Sequence, residues 1–117
     1  MPRRKLHPLP SVAFQILLAL ADRSLHGYAI MRQVEDQTEG RVRLGPATLY
    51  GSIQTLLEAG LIEDMDAPAG DDIGTERRRY YGITGAGRKI AHEEAEGLAR
   101  VLRVARAKKI QIGRAHV

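Results

Sequence analysis

The chain of 117 residues has no cysteine, no tryptophan and a single phenylalanine. Without cysteine there are no disulfides, no thiol nucleophile and no cysteine-ligated zinc, and this composition is compatible with a reducing cytoplasm. No apolar run reaches the roughly 20 residues of a transmembrane helix, so we expect no membrane partner. The basic stretch 1–11 is followed by helix-patterned residues and by no small-residue cleavage site, so we expect no signal peptide and a cytoplasmic protein.

Sets of residues for catalysis or metal binding are also missing from the sequence. The four histidines contain no pair at the i, i+4 spacing of a helical zinc site. We find no pair of carboxylates in an apolar setting and no Ser-His-Asp set. The sequence therefore predicts no enzymatic activity, no metal and no cofactor, and His26 is more consistent with a turn or a helix cap.

The charge is mildly basic, with a formal net charge of +4 that permits a polyanionic partner without requiring one. A single charged cluster is usually a solvated face. The run Arg77, Arg78 and Arg79 is a stronger signal, because three like charges on a short strand repel one another and a polyanion opposite them would offset that repulsion.

Two helices are predicted in the first forty residues. Apolar residues at helical spacing indicate a first helix from Ser11, a good N-cap, to residue 21. After a polar turn at 22–24, a second helix begins near His26 and is ended by Gly40.

The third predicted helix combines a buried stripe with an unusual outward face. Pro46 suits the first helical position, and Gly60 ends the helix. The stripe is spaced i, i+4, i+7 and i+8 and consists of Leu49, Ile53, Leu56 and Leu57. The outward face carries short groups that can donate and accept hydrogen bonds, namely Thr48, Tyr50, Ser52 and Gln54. Such a face can approach base edges, and the free N–H groups at the helix start can bind a phosphate, with Gly45 allowing close approach.

The last third of the chain predicts a hairpin and a long helix. Residues 61–65 and 77–83 read as strands joined by a glycine-rich loop, with one of Tyr80 and Tyr81 pointing inward and the other outward. A final helix capped by Thr84 extends to about residue 110. Its apolar stripe exceeds what one small core needs and predicts a dimer interface through Ile90, Leu98, Val101, Leu102 and Ala105.

Taken in order, these elements predict an α+β, mostly helical fold: a winged helix-turn-helix with a long C-terminal dimerisation helix. The expected organisation is a winged-helix DNA-binding domain over 1–83 and a dimerisation helix over 84–110. Residues 111–117, QIGRAHV, are similar to the translation of a common DNA-sequencing adapter. We expect them to be a non-native tail that replaces further natural helix.

Three segments of the sequence carry a family resemblance. The stretches LHGYAI (25–30), GPATLYGSIQTLLEAGLIE (45–63) and RRRYYGITGAGR (77–88) resemble the signature segments of the PadR family of bacterial transcriptional regulators. Ala47 departs from that pattern, which has a glycine before Thr48-Leu49-Tyr50. The family's tryptophan-lined ligand pore is not carried over, because this chain has no tryptophan.

The resemblance implies a homodimeric repressor that occupies a palindromic double-stranded DNA operator and is released by a ligand or signal. It also implies DNA-facing positions at Tyr28, Thr48 and Tyr50 and at the three wing arginines. For Tyr28 and Tyr50, packing in the core is the competing interpretation. Two other functions stay open: a winged helix that docks protein, and a small-molecule-binding dimer without DNA function.

Overall fold

The computed structural model describes residues 9–67 and 79–113, and its element order is the predicted one with a single addition. The helices are α1 (Ser11–Ala19), α2 (Gly27–Gln37), α3 (Pro46–Glu58) and α4 (Gly85–Ala107). The strands are β1 (Leu25–His26), β2 (Ile62–Met65) and β3 (Tyr80–Ile83). This arrangement confirms the winged helix-turn-helix expected from the sequence.

The core lies where α1, α2 and α3 pack together beneath the sheet. Each helix contributes the apolar side that its spacing predicted, and full burial of such a side chain contributes roughly 1.5–3 kcal/mol. The largest fully buried side chains are Ile16, Leu17, Leu20, Ile30, Val34, Leu49 and Leu56.

The sheet has three antiparallel strands in the order β1-β3-β2, whereas the sequence predicted a two-stranded hairpin. The additional strand, β1, pairs Leu25 with Tyr81 and His26 with Tyr80. Two residues are too few to show an alternating pattern, so β1 was not predictable from the sequence.

The prediction that one of Tyr80 and Tyr81 faces outward is wrong, because both side chains are buried. Tyr81 joins the main core on the helix side of the sheet. Tyr80 pairs with Met65 of β2 and meets the His26 ring edge-on at 5.4 Å between ring centroids. As the central strand, β3 is thus covered on both faces.

Helix ends follow the expected chemistry except at α1. There the N-cap prediction for Ser11 is wrong, because Pro10 occupies the cap position, Ser11 is the first helical residue and no side chain caps this end. Pro46 opens α3 directly after Gly45, and Gly60 ends it with φ of +75°. Gly40 has φ of +79° after α2, and its N–H donates to the Glu35 carbonyl oxygen at 2.8 Å. The Nδ1 of His26 accepts a hydrogen bond from the Ala29 N–H at 3.2 Å, which confirms the cap role expected for this histidine.

Thr84 joins the end of α3 to the start of α4. Its hydroxyl accepts from the Gly87 N–H at 3.0 Å, as an N-cap does, and donates to the Gly60 carbonyl oxygen at 2.8 Å. Its own N–H donates to the Leu61 carbonyl oxygen at 3.1 Å. We call Gly60, Leu61, Thr84 and Gly87 the α3–α4 joint.

The second half of α4 exposes apolar side chains. Ile90 packs against the monomer core, so of the five predicted interface residues it is the one that the monomer itself uses. Leu98, Val101 and Leu102 are 51%, 64% and 38% exposed. The helix ends at Ala107, three residues before the predicted 110.

Among the described residues, no helix is long and apolar enough to cross a membrane, and no cluster of metal-ligating side chains occurs.

Candidate nucleic-acid interface

The outward face of α3 is held in place by the buried stripe on its opposite side. Leu49 and Ile53 are each 2% exposed and Leu56 is fully buried, whereas Thr48 and Gln54 are exposed. Thr48, Tyr50 and Gln54 are therefore exposed, as the sequence predicted, whereas Ser52 is half-buried.

The first turn of α3 presents unpaired backbone donors. Gly45 precedes the helix in an extended conformation, and no side chain caps this end. The first intrahelical bond is donated by the Leu49 N–H, so the N–H groups of Ala47 and Thr48 have no partner within the helix. With the positive end of the helix dipole, they form an arrangement suited to a phosphate oxygen.

A cleft of about 350 Å³ lies between the start of α2, the start of α3 and strand β3. It brings together three of the residues predicted from sequence, Tyr28, Tyr50 and Arg79. The remaining lining residues are His26, Gly27 and Tyr81. Tyr28 is 56% and Tyr50 is 51% exposed, so neither belongs to the core.

Gly27 sets the position of the Tyr50 ring. A Cβ atom at Gly27 would overlap the Tyr50 hydroxyl and lie 2.9 Å from the adjacent ring carbon. A glycine is therefore required where α2 begins if the Tyr50 ring is to lie across it. This contact between distant segments of the sequence gave no local signal.

Arg32, one helical turn after Tyr28, was not among the residues predicted from the sequence. The Arg32 guanidinium lies 5.8 Å from the centre of the Tyr28 ring. A hydrogen bond with the Tyr28 phenol raises the pKa of Arg32 above its ordinary value. The i, i+4 spacing of the two residues was the signal that could have identified this cation.

Arg79 leads into β3 and is held by an acidic partner. Its Nη2 donates to the Asp64 Oδ1 at 2.6 Å, and its guanidinium lies 5.8 Å from the centre of the Tyr81 ring. The bond to Asp64 raises the pKa of Arg79, and burial raises the pKa of Tyr81. Arg79 is exposed, whereas Arg77 and Arg78 lie outside the described residues.

The other predicted residues occupy different positions on α3. Thr48 and Ser52 line a hollow between α3 and the start of α1, on the side away from the cleft. The Gln54 amide donates to the Glu58 carboxylate at 3.2 Å, so a negative charge lies on the second half of the outward face. The first half of α3 is therefore the part best suited to a polyanion.

Comparison with known proteins agrees with this arrangement. Residues 16–93 match the model of the transcriptional regulator PadR-like family. A protein X from Lysinibacillus sphaericus is 30% identical over 86 residues, which are 74% of this chain and 76% of that protein. A 37.1 kDa protein in transposon TN4556 of Streptomyces fradiae is 38% identical over 86 residues, also 74% of this chain, and the chain spans only 22% of that protein's length.

Solved structures with the same fold include a transcriptional regulator from Clostridium thermocellum, with a TM-score of 0.68 and 26% identity over 86% of this chain and 93% of that one. Bacillus subtilis PadR in complex with operator DNA has a TM-score of 0.63 and 19% identity, over 74% of this chain and 47% of that one. At that identity the likeness concerns the fold.

The winged-helix fold and the exposed polar face of α3 thus define a class of helix-turn-helix proteins, and the family match identifies the chain within it. The chain belongs to the PadR-like family of transcriptional regulators.

Proposed function

We propose that this protein is a homodimeric DNA-binding repressor, in which α3 enters the major groove of an operator. The main support is the division of α3 into two sides, with Leu49, Ile53 and Leu56 anchored in the core and Thr48 and Gln54 exposed. The similarity in fold to a PadR protein in complex with operator DNA supports the same docking mode.

The cleft provides the backbone contacts that orient α3 in the groove. Tyr28 and Tyr50 each offer a hydroxyl at its rim, and Arg32 and Arg79 are exposed cations beside it. Phosphate contacts of this kind position a protein on the duplex without reading its sequence. Arg77 and Arg78 directly precede Arg79 in the sequence and add two positive charges to this segment of the chain.

Pairing of two chains through α4 supplies the two-fold symmetry of a palindromic operator. Exposed apolar side chains on the second half of α4 support this part of the proposal. Two copies of α3 then lie about 34–36 Å apart, one turn of the duplex. A small-molecule effector or signal that changes this spacing releases the operator, as expected of a cytoplasmic repressor.

The dependence of duplex affinity on salt tests DNA binding. A protein that neutralises about 6 phosphates gives a slope of roughly −5 in a plot of log affinity against log salt concentration. Replacing Arg77, Arg78 and Arg79 by alanine should reduce that slope by up to about 0.9 for each lost phosphate contact. A flat line would favour a protein-docking winged helix, and binding unaffected by the triple substitution would contradict the role of the wing.

A further inference from the structure

Gly51 stands at an unexpected position in the middle of the exposed side of α3. It is two residues from both Leu49 and Ile53, which places it about 200° around the helix from the buried stripe. A glycine inside a helix is unfavourable relative to alanine, because it loses more backbone freedom on folding. The presence of glycine at position 51 therefore requires an explanation other than helix stability.

Four other glycines of the described residues have a reason within the monomer. Gly40 and Gly60 adopt φ of +79° and +75°, a region that other residues avoid. Gly27 and Gly87 are crowded. An added Cβ would displace the Tyr50 ring at the first and overlap the Leu61 carbonyl oxygen at the second.

Neither reason applies to Gly51. Its φ is not positive, and a Cβ added there would meet no atom of another segment within 4 Å. Gly51 lines the open hollow between α3 and the start of α1, which leaves space for a side chain. The helix runs through it without interruption, and its carbonyl oxygen accepts a further hydrogen bond from the Thr55 hydroxyl at 3.1 Å. Gly97 is also in the interior of a helix with space around it, but it belongs to α4 and not to this face.

We infer that Gly51 is the point of closest approach between α3 and the floor of the major groove, and that it is kept free of a side chain for that contact. Ala47, one turn earlier on the same line, carries only a methyl group, while the longer Gln54 follows one turn later. A backbone without a side chain lets base edges come within contact of the helix, so the neighbouring polar groups reach their partners. This inference rests on the proposed function.

The substitution Gly51→Ala separates this role from a role in folding. The free protein should fold more favourably by roughly fivefold in its equilibrium constant, because alanine is the better helix residue. Its affinity for a duplex selected by the wild-type protein from a randomised library should fall by about tenfold, the scale of one lost base contact. Gly51→Leu should lower the affinity further.

Gly85→Ala is the matched control. It also adds one methyl group to a helix at a position with no described atom within 4 Å. The pairing of Ile62 with Ile83 places Gly85 at the end of the sheet opposite Arg79, so its affinity should equal that of wild type.

Chemical unfolding and duplex titration of the three variants test whether Gly51 serves DNA contact or folding. A Gly51→Ala protein that binds the selected duplex as tightly as wild type would overturn the inference and leave the proposed function standing. A loss of stability in that variant would overturn it as well, since it would reveal a need for glycine within the monomer. Failure of the wild-type protein to select any duplex would overturn both.

Discussion

At the scale of single residues, close contact between backbone segments decides which substitutions the fold tolerates. Gly87 in the first turn of α4 lies against the carbonyl group of Leu61, and an added Cβ would also come within 2.8 Å of the Ile83 Cγ1. A carbonyl group in a hydrogen-bonded strand connection cannot move aside as the end of a flexible side chain can. The contact therefore fixes the distance between α4 and the end of α3.

Gly87→Ala should lower the free energy of unfolding by about 1–3 kcal/mol, the usual cost of forcing atoms into a packed site. Urea denaturation followed by circular dichroism measures the change. Gly85→Ala, two residues away in open space, should be neutral or slightly stabilising. Equal stability of the two variants would contradict the packing seen at the α3–α4 joint.

Residue-level features were predictable where they depend on near neighbours in sequence. The caps at His26 and Thr84, Pro46 at the first helical position and the stop at Gly60 follow from local backbone chemistry. The crowding at Gly27 and Gly87 was not predictable, because each glycine meets a residue more than twenty positions away.

At the scale of elements, an acidic residue of β2, Asp64, competes with DNA phosphate for the wing residue Arg79. Arg79 and Asp64 face each other across β2 and β3 at 2.6 Å, and both side chains are more than half exposed. An exposed ion pair of this kind is worth at most about 1 kcal/mol. A phosphate can therefore replace Asp64 as the partner of Arg79. The free energy of the lost ion pair then weakens binding to every duplex, whatever its sequence.

Asp64→Asn should strengthen binding to a mixed-sequence duplex by up to about fivefold, the factor that corresponds to 1 kcal/mol of released pairing. If Arg79 then gains a phosphate, the salt slope should steepen by about 0.9. Fluorescence anisotropy across a range of salt concentrations measures both quantities.

Glu63→Gln is the control for the Asp64 experiment, because it removes the same charge from the neighbouring residue of β2, which is also exposed. Alternation along the strand directs Glu63 to the opposite face from Asp64, so its effect should be smaller. Weaker binding by Asp64→Asn would contradict competition and show that Asp64 orients Arg79 for the duplex.

Elements with several turns or an alternating pattern were predictable, and the shortest one was not. The four helices lie where the apolar spacing placed them, within a few residues at the ends. Strand β1 exists only because its two residues pair with β3. His26 on β1 and Met65 on β2 flank Tyr80, so both tyrosines are buried although one was expected to be exposed. The two tyrosines do alternate between the faces of the sheet, but tertiary contacts bury both faces.

At the scale of the whole molecule, α4 divides into an anchored and a free half. The first half packs through Ile90 and Ala91 on the core. The second half exposes Leu98, Val101 and Leu102 to solvent in the single chain. Apolar surface of this extent is stabilised when a second copy covers it.

Val101→Glu should prevent dimerisation, because a carboxylate in an apolar helix pair loses its hydration without gaining a partner. Monomer stability should change by no more than about 0.5 kcal/mol, since Val101 is 64% exposed in the single chain. Sedimentation velocity measures the oligomeric state, and duplexes with one or two half-sites measure the loss of joint binding.

Arg103→Glu introduces the same carboxylate about 200° further around α4 and should leave the dimer intact. A dimer that persists in Val101→Glu would place the interface elsewhere. The overall fold was predictable from the order of the elements, and the family from the resemblance of three sequence segments to its signature segments. The pairing surface could be predicted only as an unused apolar face, because its partner is another molecule.

The joint at Thr84 has a consequence for how a signal could travel. One hydroxyl group caps α4 and also bonds to the carbonyl oxygen of Gly60, two residues after the end of α3. A rotation of α4 about its own axis therefore acts directly on the hydrogen bond between the Thr84 hydroxyl and the Gly60 carbonyl oxygen. A rotation imposed at the far end of α4 would therefore change the tilt of α3, because Thr84 bonds to both segments.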